Sequence, residues 1–416
     1  MSKELKQTGM DNTTRILMLT ADQLQLDRRI IHEAFSLAKN GISVDIYSLS
    51  FGMSKPVNLP DNVHLIDIGI PQKENLINFI KEFSRKHLPR TWQELIFFGF
   101  MDPAGTLTKG YISTFVEKWD VIIAHDLPLL PLALEIRTKQ GGGRVILDAH
   151  ELYDEQLDFL KTKTARKYWR DIEDKHLPCC DGIMTVTDRL AQELQKRHGL
   201  PSMPVVLRNS CPFVDSISDK SFLHCLFNIP ENRKIVLCQG GLAPGRSLEE
   251  FVAAWGYMPI PRPALVFLGF GRPDYVKKLN NMIQRLGLED DVLLGRAVAP
   301  DEVLSYTCGA SLGLISNRGQ GINNTDGGPN RLFEYIQARV PILSYEHNGV
   351  RQVLDQTGTG WVVKWESPEH LAQLIQQKLI EAEHISQEKF ENAARKFSWE
   401  NEEQKLFDLI MKVRGV

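Results

Sequence analysis

At 416 residues the chain is too long for one comfortable hydrophobic core, so two domains are the expectation. Its 49 Lys and Arg nearly balance 52 Asp and Glu, and no basic excess points to nucleic acid. Residues 1–14 form a polar tail without the apolar core of a signal peptide or anchor, and no stretch approaches the roughly 20 apolar residues of a membrane span. The six cysteines show no Cys-x-x-Cys pair or metal spacing, which fits a reduced, cytoplasmic context.

Residues 15–20 (Arg-Ile-Leu-Met-Leu-Thr) read as a first buried strand. A turn containing Asp22, Asp27 and Arg28 leads into a helix with Ile30, Ile31, Ala34, Phe35, Leu37 and Ala38 inward, ended by Lys39-Asn40-Gly41. Apolar runs at 44–47, 63–66, 121–124, 145–147 and 183–186 give further strands, alternating with helical patterns at 129–139 and 188–197. Such alternation predicts a doubly wound parallel sheet, whose ligands sit beyond the carboxyl ends of the strands. The residues there are His125 and Asp126, then Asp148, His150 and Glu151. His150-Glu151 lacks the second histidine of a helical zinc motif.

Residues 73–101 interleave Phe79, Phe83, Trp92, Phe97 and Phe98 with Lys73, Lys81, Arg85, Lys86 and Arg90. A basic amphipathic segment can lie on an anionic membrane surface or line a greasy acceptor pocket; it can equally pack its apolar face on the sheet. Residues 161–170 make a second basic patch with the same alternatives.

A second sheet begins after residues 205–210, with strands at 235–238, 265–268, 292–294, 312–315, 341–345 and 361–364. The first ends in Gln239-Gly240-Gly241-Leu242-Ala243-Pro244-Gly245-Arg246, a turn that lets backbone amides and an arginine surround a diphosphate. Gly269-Phe270-Gly271 lacks the third glycine of a dinucleotide fingerprint. After the strand at 312–315 comes a loop rich in Gly and Asn, then Asp326-Gly327-Gly328-Pro329-Asn330-Arg331-Leu332-Phe333-Glu334-Tyr335. Pro329 suits the first helical turn, and the helix N-terminus beyond the glycines favours an anion. The chain closes with an amphipathic helix from Phe397, N-capped by Ser398.

The pair Asp326 and Glu334, eight positions apart, with Ala-His-Asp-Leu-Pro at 124–128 and Asp-Ala-His-Glu-Leu-Tyr at 148–153, resembles the retaining GT-B glycosyltransferases of family four (group 1). The resemblance implies an α/β GT-B architecture of two Rossmann-like domains facing across a cleft: 15–210 on the acceptor side, 211–396 on the nucleotide-sugar side, and a helix over 397–416 crossing back. It implies transfer of a sugar from a nucleotide diphosphate to an acceptor hydroxyl, with no metal and no cofactor. The donor site would comprise Gly240, Gly241, Arg246, Gly269, Arg296, Asp326, Gly327, Gly328, Pro329, Asn330 and Glu334. The acceptor side would comprise Asp27, Arg28, His125, Asp126, His150 and Glu151, with Asp326, Arg246 and His125 nearest the chemistry.

Two positions depart from the family pattern. Aspartate stands at 326 where glutamate is usual, and Gly241 stands where a first cation would be, with Arg318 and Arg331 as candidate substitutes. The implied acceptor is a saccharide or lipid-linked sugar in bacterial surface polysaccharide or glycolipid assembly, handled in the cytoplasm or at the inner face of the membrane. Two other readings stay open: a GT-B sugar-nucleotide epimerase or phosphorylase, and a catalytically silent nucleotide-sugar-binding subunit.

Overall fold

The computed structural model describes residues 14–20, 28–48, 59–67, 89, 115–156, 162–216 and 219–415. Asp22, Asp27, Lys161, the tail up to residue 13 and, apart from Pro89, the 73–101 segment lie outside the described residues. The chain divides into two compact units, Met1–Arg208 with Glu403–Val416, and Asn209–Glu402. The sequence reading put those divisions at 210/211 and 396/397. The second division falls inside one continuous helix, Trp399–Arg414, where no break in periodicity could mark it.

The first unit is built on seven strands: β1 (Arg15–Thr20), β2 (Ser43–Ser48), β3 (Val63–Asp67), β4 (Val121–His125), β5 (Arg144–Ala149), β6 (Gly182–Thr185) and β7 (Val205–Val206). Their order is β3-β2-β1-β4-β5-β6-β7, and every pairing is parallel. Parallel neighbours need crossovers, supplied among others by helices Arg28–Lys39, Leu130–Gln140, Lys163–His176 and Asp188–His198. With helices on both faces, a central strand is apolar throughout, as in Ile16, Leu17 and Met18 or Val121, Ile122 and Ile123, all fully buried. The basic patch of the sequence reading is the start of the Lys163–His176 helix, capped by the Thr162 side chain; it buries Ala165 and Trp169, the latter ring 4.9 Å from Tyr153. Lys163 and Lys167 face outward from a packed helix, whereas Arg170 turns in to pair with the buried Asp154.

The second unit has six parallel strands: β8 (Ile235–Gln239), β9 (Ala264–Leu268), β10 (Val292–Gly295), β11 (Leu312–Ile315), β12 (Ile342–Tyr345) and β13 (Gly360–Val363), in the order β10-β9-β8-β11-β12-β13. Trp255, Phe251, Phe267, Tyr335 and Trp365 are its largest fully buried side chains; each such side chain contributes on the order of 1.5–3 kcal/mol. Gly313 in β11 is glycine for a packing reason: a Cβ there would stand 2.7 Å from the Tyr335 ring. Tyr335 in turn donates to the Leu237 carbonyl at 3.0 Å and accepts from the Gln239 N–H at 3.3 Å.

In both sheets the strand order reverses beside the first strand of the unit, between β1 and β4 and between β8 and β11. Crevices for ligands open at such switch points.

Candidate functional site

At the second switch point the loops after β8 and β11 are tied together: the Ser247 and Ser316 hydroxyls meet at 2.7 Å, and the Arg318 N–H donates to the Gly245 carbonyl at 2.9 Å. Gly240 (φ 103°) and Gly245 (φ 85°) stand at positive φ, a backbone that favours glycine. Gly269, assigned to the donor, does something more specific: a Cβ on it would sit 1.8 Å from the Gly240 carbonyl oxygen, so its missing side chain seats the turn.

Arg246 folds back across this turn, donating to the Gly241 carbonyl at 3.1 Å and packing 3.4 Å from where a Gly241 Cβ would stand. A side chain at 241 would compete for that space. Arg331, one residue into the helix Asn330–Gln337, donates to Asn317 Oδ1 at 2.7 Å and to the Ser316 and Gln239 carbonyls. Its Nε is buried without a partner among the described residues. Neither arginine meets a carboxylate among the described residues. Burial, and Arg331 after it, push the Arg246 guanidinium down to about 10. Burial also pushes the neighbouring Cys238 thiol up, so it supplies no counter-charge at neutral pH. A buried Arg331 beside a half-buried Arg246, with no carboxylate against either among the described residues, is an unmet electrostatic demand.

Arg318, the other candidate substitute, is committed elsewhere. It pairs with Glu250 at 3.1 Å and stacks on Tyr345 and Trp365, 4.1 and 5.4 Å from their centroids. Arg296 is exposed beyond the edge strand β10 and makes no hydrogen bond or ion pair among the described residues.

The two carboxylates are both buried. Glu334 accepts from the Gln239 amide, whose own oxygen meets the Thr307 hydroxyl at 2.8 Å. Asp326 ends the short helix Ile322–Asp326; Thr325 donates to its Oδ2 at 2.5 Å and Asn348 to its Oδ1 at 3.1 Å. The helix carrying Glu334 starts one residue later than the sequence suggests, with Pro329 as N-cap and Asn330 exposed at its first position. The Gly328 carbonyl accepts from Asn209 at 2.8 Å.

At the first switch point Asp148 is fully buried. One oxygen takes Arg29; the other accepts ring N–H groups from His125 at 3.1 Å and His150 at 2.8 Å. Burial alone would raise Asp148, but Arg29 and the two histidines hold it well below the usual carboxylate range. Asp126 stands at φ 70°, ψ 159°, a strained backbone for an L residue, and accepts from the His150 N–H at 2.9 Å. The ligand atoms of His125, Asp148 and His150 lie within 4.8 Å of one another, a metal-like spacing in a chain read as needing no metal. Here the histidines already donate to Asp148, and Arg29 supplies the positive charge. Glu151 accepts instead from Gln156, and Arg28 merely opens the helix whose next residue, Arg29, enters the cluster.

Comparison with known proteins agrees with this layout. The model of the glycosyltransferase family 4 matches residues 27–209, and that of glycosyl transferases group 1 matches residues 219–397. Between them the two take in most of the chain, which belongs to the group 1, family 4 glycosyltransferases. Among curated protein sequences none matches. Among solved structures, the sucrose-phosphate synthase of Thermosynechococcus elongatus is similar at TM-score 0.69 and 16% identity, over 95% of this chain and 98% of that one. A glycosyltransferase from Rickettsia africae ESF-5 gives TM-score 0.68 at 14% identity over 97% and 99%. Anabaena HepE in complex with UDP and glucose gives 0.68 at 14% over 95% and 98%. These likenesses establish the GT-B fold.

Proposed function

We propose that the protein transfers a sugar from a nucleotide diphosphate to an acceptor hydroxyl with retention of anomeric configuration and without a metal. The observation that carries this reading is the pair Arg246 and Arg331, one guanidinium half-buried and the other buried, neither with a carboxylate among the described residues, beside a glycine-rich turn and a helix N-terminus. A diphosphate supplies the missing anion, and the same cations stabilise charge developing on it as the leaving group. Glu334, held by Gln239, accepts ribose hydroxyls; Asp326, Gly327 and Gly328 face the sugar.

Both Asp326 oxygens already accept an internal hydrogen bond, which favours a positioning role over that of covalent nucleophile. The acceptor oxygen attacks the anomeric carbon on the leaving-group face as the bond to phosphate breaks, and its proton passes to the departing phosphate oxygen. His125 and His150 of the first unit, oriented by Asp148, serve the acceptor. The cations and apolar side chains of residues 73–101 support an acceptor at an anionic membrane surface, tested by sedimentation with anionic vesicles at low and high salt.

Thermal-shift screening of nucleoside diphosphates and their sugars tests the reading, beginning with UDP and UDP-glucose, which HepE structures contain. A ligand at 100 times its dissociation constant adds about 2.7 kcal/mol. Glu334→Gln should weaken the best nucleotide by about 1–2 kcal/mol in calorimetry. Proton NMR of the product should show a retained anomer; an inverted one, or a glycosyl adduct on Asp326, overturns the mechanism.

A further inference from the structure

The turn between β12 and the helix Asn348–Thr357 carries a buried histidine, His347. His347 is 2% exposed and caps that helix: its Nδ1 accepts the Val350 N–H at 3.2 Å. An accepting Nδ1 places the proton of the neutral ring on Nε2, which makes that atom a donor. Nε2 is buried and has no partner among the described residues. An unmatched buried donor is costly, and native structures keep few of them without a use.

The turn is built onto the Asp326 loop. Asn348 donates to Asp326 Oδ1 at 3.1 Å, and Gly349 approaches so closely that a Cβ would lie 2.5 Å from the Gly327 carbonyl oxygen and 2.8 Å from that of Asp326. We propose that His347 reads the donor nucleotide through its Nε2–H, which donates to an oxygen of the diphosphate or of the sugar. This rests on the nucleotide-sugar reading of the same site. The ring lies within electrostatic reach of both Arg331 and Asp326; burial, then Arg331, push it down to about 4 against the pull of Asp326. The donor is therefore a neutral imidazole, and its contribution does not vary between pH 5.5 and 8, on the order of one unit or more above that value.

Two variants separate this role from the helix cap. His347→Asn keeps a cap acceptor but has nothing at the Nε2 position; His347→Gln can place an amide N–H near it but loses the cap. Calorimetry with UDP and UDP-glucose, or with whichever pair stabilises wild type most among the five common bases, should show H347N binding about 3- to 10-fold more weakly at unchanged Tm. H347Q should keep most of the affinity at a lowered Tm. Loss confined to the sugar nucleotide places the oxygen on the sugar, and equal loss for the diphosphate alone places it there; either result supports the proposal. Wild-type affinity in H347N, or equal losses in both variants that track Tm, overturns it. If no nucleotide stabilises the wild type, the nucleotide-sugar reading itself fails and this inference falls with it.

Discussion

The two switch points balance their charges in opposite ways. Around Asp148 every strong charge has a partner inside the fold: Arg29 takes one oxygen, the two histidines take the other, and Arg29 also meets Glu33 at 2.9 Å. Around Gly240 two guanidiniums are gathered and left with backbone carbonyls and an amide oxygen. Paired buried charge sets geometry, whereas unpaired cations drawn partly or wholly out of water set an affinity for something that arrives from outside. The first site is accordingly an orienting frame and the second a receptor for an anion.

Breaking the frame should have the largest effect. Asp148→Asn takes from the buried Arg29 one of its two carboxylate partners, leaving Glu33 and the Leu207 carbonyl, and should cost the first unit about 3–5 kcal/mol, toward the lower end because these remain. Urea unfolding followed by fluorescence checks this; a loss below about 1 kcal/mol would mean that the cluster contributes little.

A smaller effect separates the two carboxylates of the frame by pH. Glu33 is fully buried, and burial, with Asp148 next, raises it from 4.5 to about 7 against His125 and Arg29. Its folded value exceeds its unfolded one, so its stabilising contribution is complete below about pH 4.5 and is lost as pH rises toward about 7. Asp148 is held down, so its contribution is present above the ordinary carboxylate range and is lost as pH falls. Wild-type stability should therefore decline by ~2–3 kcal/mol between pH 4.5 and 8, and Glu33→Gln should flatten that decline while leaving the acid limb. An unchanged slope in the variant would reject Glu33 as its source.

The comparison is sharpened at the receptor by Arg246→Met. Removing one of two mutually repelling cations should leave Tm unchanged or higher, while nucleoside diphosphate affinity falls about 10- to 100-fold. A drop in Tm without loss of affinity would make Arg246 a structural residue and the asymmetry of the two sites accidental.

The sheets were legible because parallel strands buried on both faces are near-continuous apolar runs, and each run from 15–20 to 361–364 became a strand. The Asp326 and Glu334 spacing was legible because it lies within one loop and helix. What escaped depends on contacts between distant positions. Gln239 reaches Glu334 across 95 residues and Arg29 reaches Asp148 across 119, and nothing local marks either. His347 reads as an ordinary loop residue until Val350 and the Asp326 loop are placed beside it. Arg318 and Arg331 looked equivalent in the sequence; only the packed aromatic pair and Glu250 show that the former is already engaged.

The Tyr335 hydroxyl has a further effect, through its bonds to two successive alternate positions of β8. It rivets the helix that bears Glu334 to the strand that ends in the glycine turn, with the ring wedged on Gly313. The carboxylate and the turn therefore move as one body, and a nucleotide meeting both need not freeze one against the other. Little conformational entropy is then lost on that side of the ligand, so enlarging Gly313 to alanine should slow and weaken nucleotide capture without touching any group that contacts it.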